Sequence, residues 1–171
     1  MRDYSGLAIH FSGSLVSDHV IGAHPLQSFN TGLYTLEQYQ QIPFVIDHDA
    51  PDFKSLLPGL MNHHVRLNKS KKSKYHALCV LSGNFSCLLW QKLFSSLEDE
   101  FHLPKEIAHV YLRQQMQNLL DAPENALTGP LVRGDTQTIS RHLRALTGDE
   151  FKDVYASFVA CYDKMNAEGM A

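Results

Sequence analysis

The stretch "LTGPLVRGDTQTISRHL" (127–143) sets a threonine, a Gly-Pro turn, an arginine and an aspartate directly ahead of a helical pattern. Asp135 is the natural N-cap, its carboxylate accepting hydrogen bonds from the first-turn N–H groups. Thr128 and Arg133 are not needed for that job. An arginine beside a helix N-terminus suits a carboxylate or phosphate, because the guanidinium and the free N–H groups both favour an anion. Arg133 paired with Asp135 or another acid is the alternative.

Three further stretches carry chemistry-bearing side chains. In "GAHPLQSF" (22–29) the residue before Pro25 is biased towards extended backbone. A ring nitrogen of His24 and the Gln27 amide can then reach a cleft as donors, although a histidine satisfied inside the fold has the same signature. In "KYHALCVLSGNF" (74–85) His76 and Asn84 are polar groups in apolar text, and such groups need partners when buried. Eight residues apart, they stand about 80° from one another on an α-helix. Tyr75 and His76 are the nearby candidates for a general acid, and imidazole is the side chain suited to proton transfer near neutral pH. In "HFSGSL" (10–15) Ser12, Gly13 and Ser14 follow a strand pattern. They offer N–H groups and hydroxyls at the strand's carboxyl end, where open α/β sheets bind ligands. A serine-capped turn into a helix over 14–20 competes with that reading.

Several classes are disfavoured. With 171 residues, a formal charge of −3 and 19% charged residues, the chain has no basic field for nucleic acid or membrane surfaces. Its one charge cluster, Lys69, Lys71, Lys72 and Lys74, reads as a solvated turn before a helix or as a site for an anionic cofactor tail. Cys79, Cys87 and Cys161 are widely spaced, and the first two sit in apolar text, predicting buried reduced thiols. No apolar run approaches the roughly 20 residues of a membrane span, and no signal peptide precedes the first strand, so a cytoplasmic location is expected. Ten histidines form no H-x-x-x-H pair and the cysteines no C-x-x-C, so no metal site is expected. There is no G-x-G-x-x-G, the loop that cradles a dinucleotide pyrophosphate.

The elements that must position these residues read as β/α and then helix. Strand patterns fall at 7–11, 20–29, 42–48 and 64–67, with short helices at 14–20 and 51–63. The first strand has no earlier strand to pair with. From Ser70 strand signals stop. A long helix over 73–100 is apolar nearly all round between Ala77 and Leu97, which predicts burial. Gly83 in its middle costs about 1 kcal/mol relative to alanine, and close approach of another backbone would explain it. Further helices are predicted at 104–122, 136–146 and 148–168.

The four stretches, in this order and spacing, resemble the C-terminal two-thirds of Rossmann-like proteins that carry the domain of unknown function 2520. That resemblance implies an α+β, mainly α chain: a partial Rossmann-like β/α segment (1–68), then an all-helical domain (69–171) like the C-terminal domain of 6-phosphogluconate dehydrogenase. It implies that the glycine-rich half is missing, and that NADP or NAD would come with it. Ser12 and Gly13 would face the nicotinamide ring. His24 is similar to the histidine of a His-Pro-Met segment near that site in prephenate dehydrogenases, with Leu26 at the methionine position. β-Hydroxyacid dehydrogenases place a lysine four residues before an asparagine. If Asn84 matches that asparagine, the lysine position holds Val80, which does no acid-base chemistry. The turn at 127–136 is similar to the Pro-Gly-Gly-Thr-Thr turn that holds the substrate carboxylate in pyrroline-5-carboxylate reductases.

Two functions follow. One is an oxidoreductase-like protein binding a small carboxylate or imino acid, with His24, His76 and Asn84 as catalytic residues and Gln27, Thr128 and Arg133 on the substrate. The other is a non-catalytic dimerisation or ligand-binding module. A homodimer is expected under both, since the apolar helix and the strand at 7–11 need covering.

Overall fold

"IPFVIDH" becomes the strand around which the first half is built, because β-branched and aromatic residues fit a pleated, half-buried surface. A computed structural model describes residues 6–169. In it this strand, β3, spans Phe44–Asp47, after β1 (Ile9–His10) and β2 (Ile21–Pro25) and before β4 (His64–Leu67). The sheet order is β1-β2-β3-β4. β1 is parallel to β2, with Ile9 opposite Ile21; β2 is antiparallel to β3, with His24 opposite Val45; β3 is parallel to β4, with Asp47 opposite Leu67. Among the described residues the first strand is therefore paired on one side, with the strand that follows it.

Alternation along β2 and β3 puts Ala23, Phe44 and Ile46 into the core, with Ile42, Ala50, Phe53 and Leu56 around them. Helix α2 (Phe53–Leu56) contributes the last two and is shorter than the predicted 51–63. Buried Asn62 closes one end, its amide donating to the Tyr39 and Ile42 carbonyls. The Arg66 guanidinium gathers the His48, Ala50 and Pro51 carbonyls.

Two local expectations fail for identifiable reasons. Residues 14–20 form no helix. Ser12 Oγ accepts from the Ser14 and Leu15 N–H groups, and Ser17 Oγ from those of His19 and Val20, so hydroxyls replace helical carbonyls. Conversely, a helix with no predicted counterpart, α1 (Leu36–Gln41), starts at a reciprocal capping box between Thr35 and Gln38.

The long helix exists but is not uniform. It runs as α3 (Lys72–Val80), a π-helical segment (Leu81–Phe85) and α4 (Ser86–Asp99). Of its apolar residues only Leu97 is buried, while Leu78, Leu81 and Leu88 are 53%, 52% and 51% exposed. Predicted burial of this helix is thus corrected. So are the thiols: Cys79 is half-buried, while Cys87 and Cys161 are exposed. By length and composition Lys69–Asp99 is also apolar enough to cross a membrane, at a mean hydropathy of 1.2, which corrects the expectation that no stretch comes close. Gly83 has nothing within 4 Å of where a Cβ would stand, so no close backbone among the described residues explains it.

The chain forms two compact units that divide between Glu100 and Phe101. The predicted division at 68/69 follows the change from strand to helix. The observed one keeps α3 and α4 with the sheet, to which Lys72 and Tyr75 bind them. The second unit holds α5 (His109–Asp121), α6 (Thr136–Ala145) and α7 (Lys152–Gly169). Within it the Tyr155 hydroxyl and His142 Nδ1, 2.9 Å apart, link α7 to α6. The whole is α+β and mainly α.

Candidate functional site

The carboxyl ends of β1 and β2 meet the start of α3, and four of the predicted site residues meet there. Gly13 is buried in the turn after β1, so close to α3 that a Cβ would lie 2.3 Å from His76 Cδ2 and 3.1 Å from His24 Cδ2 and Nε2. The rings of His24 and His76 stand edge to face, their centroids 5.7 Å apart. His24 Nδ1 lies 3.0 Å from the Tyr75 hydroxyl. Ser12 is exposed, and its Oγ is occupied as the acceptor of its own turn.

From this cluster a cleft of about 1060 Å³ runs along the helix, lined by His24, Gln27, Tyr75, His76, Cys79, Gly83 and Asn84 among others. The π segment matters here. It carries more residues per turn than an α-helix, so the separation expected for His76 and Asn84 on a regular helix no longer holds. Both line the same cleft. Ser86 Oγ donates to the Ser82 or Gly83 carbonyl, both within 2.8 Å, and so satisfies a backbone group that the altered register frees.

Burial and charge act together on the titrating groups. His24 is pushed below the ordinary histidine range, first by burial and then by the neighbouring His76 and Lys72 charges. The Tyr75 hydroxyl is pushed well above its ordinary range, first by burial and then by the neighbouring Cys79 thiol. Near neutral pH the cleft therefore presents a neutral imidazole against a protonated phenol. Behind them Lys72 Nζ sits 2.7 Å from Asp47 Oδ1, both side chains buried. Asp47 Oδ2 accepts from the Gly22 N–H at 2.7 Å. Gly22 must lack a side chain, because a Cβ would lie 2.2 Å from Lys72 Nζ. His10 stands beside this pair, both ring nitrogens out of solvent and without a hydrogen-bond partner among the described residues.

Thr128 and Arg133 belong to the second unit. Asp135 caps α6 as expected, its carboxylate accepting from the Thr138 N–H at 2.9 Å and the Thr138 hydroxyl at 2.7 Å. These bonds hold the Asp135 carboxyl below the usual range, with the Arg141 and Arg133 charges adding to them. Both Thr128 and Arg133 are exposed, and Gly129 and Gly134 take positive φ in the turn between and beside them. A shallow polar depression on α6 is lined by Thr136, Gln137, Ser140, Arg141 and Arg144. Among the described residues no group of three or more His, Cys, Asp or Glu is placed to hold a metal ion.

Sequence reasoning missed Lys72 and Asp47 as a pair and Cys79 as a cleft residue. The Tyr75/Cys79 spacing of four, which puts both on one helix face, was a usable signal. Lys72 was hidden among three lysines of the same cluster.

Comparison with known proteins shows the fold first. A Bacteroides fragilis protein named "putative NADP oxidoreductase" shares the fold at a TM-score of 0.75 and 22% identity, over 92% of this chain and 65% of that one. A Thermotoga maritima protein does so at 0.72 and 22%, over 96% and 70%. The chain thus spans about two thirds of the length of these solved structures. Residues 42–161 match the family described as Domain of unknown function (DUF2520), and the chain belongs to that family. No curated protein matches.

Proposed function

We propose that this chain supplies the ligand-facing part of an NAD(P)-dependent oxidoreductase acting on a small carboxylate or imino acid. The observation that carries the reading is the convergence of Gly13, His24, Tyr75 and His76 at one end of a cleft that Asn84 also lines. A bound nicotinamide would supply or accept the hydride. The residues present fit that end of the cofactor: Gly13 keeps the edge of His24 uncovered, and Ser12 is exposed beside it. They do not fit the pyrophosphate end, since no G-x-G-x-x-G occurs in the sequence.

On this reading His24 and Gln27 orient the ligand through hydrogen bonds, and His76 and Asn84 stand beside the reacting carbon. Thr128 and Arg133, in the second unit, are proposed as carboxylate-binding residues. If Asn84 matches the asparagine of β-hydroxyacid dehydrogenases, Val80 stands where they carry a lysine, which favours imine reduction over alcohol oxidation. NADP is the first choice and NAD the second, the location is cytoplasmic, and the assembly is a homodimer. Titrating NADPH into this chain and into a full-length relative tests the reading. Saturable binding by the relative, with weaker binding here, is expected; no binding by either overturns it.

The half-exposed apolar helix favours a second reading, a non-catalytic dimerisation or ligand-binding module. A sharp monomer at low micromolar concentration in analytical ultracentrifugation would remove its main support.

A further inference from the structure

We infer that Tyr75 is a positioning residue that holds His24 as its Nε2–H tautomer, making the ring a hydrogen-bond donor to a carbonyl or carboxylate oxygen rather than a proton acceptor. The hydroxyl of Tyr75 has one proton, and among the described residues its hydrogen-bond partner is His24 Nδ1 at 3.0 Å. An imidazole nitrogen is a full acceptor, whereas a thiol is both a weak acceptor and a weak donor. The proton therefore goes to Nδ1. A neutral ring whose Nδ1 accepts must carry its own proton on Nε2.

The geometry leaves that Nε2–H available. It lies 3.1 Å from where a Cβ of residue 13 would stand, so glycine there keeps the donor uncovered. The charged and titratable groups facing the ring are His76 on the same helix turn as Tyr75, and Lys72 behind it. Both oppose protonation of His24, which keeps the single-tautomer state intact near neutral pH. The identity of the oxygen ligand rests on the function proposed above; the tautomer does not.

The experiment is a long-range ¹H–¹⁵N correlation spectrum of the histidine rings in the full chain at pH 8, with His24→Gln assigning the signal. The expected wild-type pattern is a single tautomer with Nδ1 unprotonated. Tyr75→Phe should lose it, giving a mixture, while Cys79→Ala retains it. An Nδ1–H tautomer in the wild type, or an unchanged pattern in Tyr75→Phe, overturns the inference. Should Tyr75→Phe fail to fold, fluorotyrosine incorporation replaces it. Its more acidic hydroxyl must shift the His24 Nδ1 signal further, and an unmoved signal counts against the inference. No ligand is present in any arm, so a failed NADPH titration would sink the proposed function and leave this result standing.

Discussion

Lys72 Nζ lies 2.7 Å from Asp47 Oδ1, and the two side chains retain only 6% and 1% of their exposure. This contact joins the first turn of α3 to the end of β3, and through the Gly22 N–H to β2. It fixes where Tyr75 and His76, three and four residues further on, meet His24. Removing one partner of a buried pair leaves an uncompensated charge and costs about 3–5 kcal/mol. Lys72→Met should lower unfolding stability by that much in urea titrations. Lys72→Met combined with Asp47→Asn should recover part of the loss, and equal stability of single and double variants would contradict the account.

Gly13 and Gly83 should respond to alanine with opposite signs. At 13 the new methyl meets His76, and overpacking of this kind costs about 1–3 kcal/mol. At 83 nothing stands within 4 Å, so helix propensity alone acts and stability should rise by up to about 1 kcal/mol. Thermal melts of the two variants decide it.

Acid should weaken the first unit before any carboxylate protonates. His10 and His24 both titrate below the ordinary value of 6.5 when folded, burial being the first cause in each. For His10 the Lys72 charge adds to burial and Asp47 opposes it; for His24 the His76 and Lys72 charges add. The unfolded chain thus binds more protons in the window just below 6.5, and stability rises with pH there. Their contribution is fully present above about 6.5 and is lost as pH falls through the folded values. Urea midpoints should drop between pH 8 and pH 5.5, and His24→Gln should flatten part of that slope.

The exposed helix face gives a test of assembly that leaves the cleft alone. Leu81 and Leu89 are 52% and 39% exposed and are not among the residues lining the cleft. Placing glutamate at both should leave a homodimer unable to cover that face, since desolvating unpaired charge is costly. Sedimentation velocity should then show a monomer, against the dimer proposed for the parent.

Asp135→Ala removes two hydrogen bonds at the start of α6. Loss of an N-cap costs about 1 kcal/mol. The melting of the second unit should fall accordingly while the His24 tautomer pattern stays unchanged.

Local sequence determined much of this protein. The extended piece "HVRL" pairs over the residues expected, Asp135 caps the helix it precedes, and the long helix and its three successors lie within a few residues of their predicted bounds. These features are legible because they depend on neighbours along the chain: alternation, caps and helix periodicity. The capping box at Thr35 was legible for the same reason, and polar composition masked it. Only tertiary structure decided the rest. That one lysine of four is buried depends on Asp47, 25 residues away. That His24 bonds to Tyr75 depends on a partner 51 residues away. The π segment that carries Asn84 leaves no spacing mark in "LSGNF". The sheet bonds to this helix at Lys72 and Tyr75, in its first turns, and periodicity reports how apolar a face is, not whether anything lies against it.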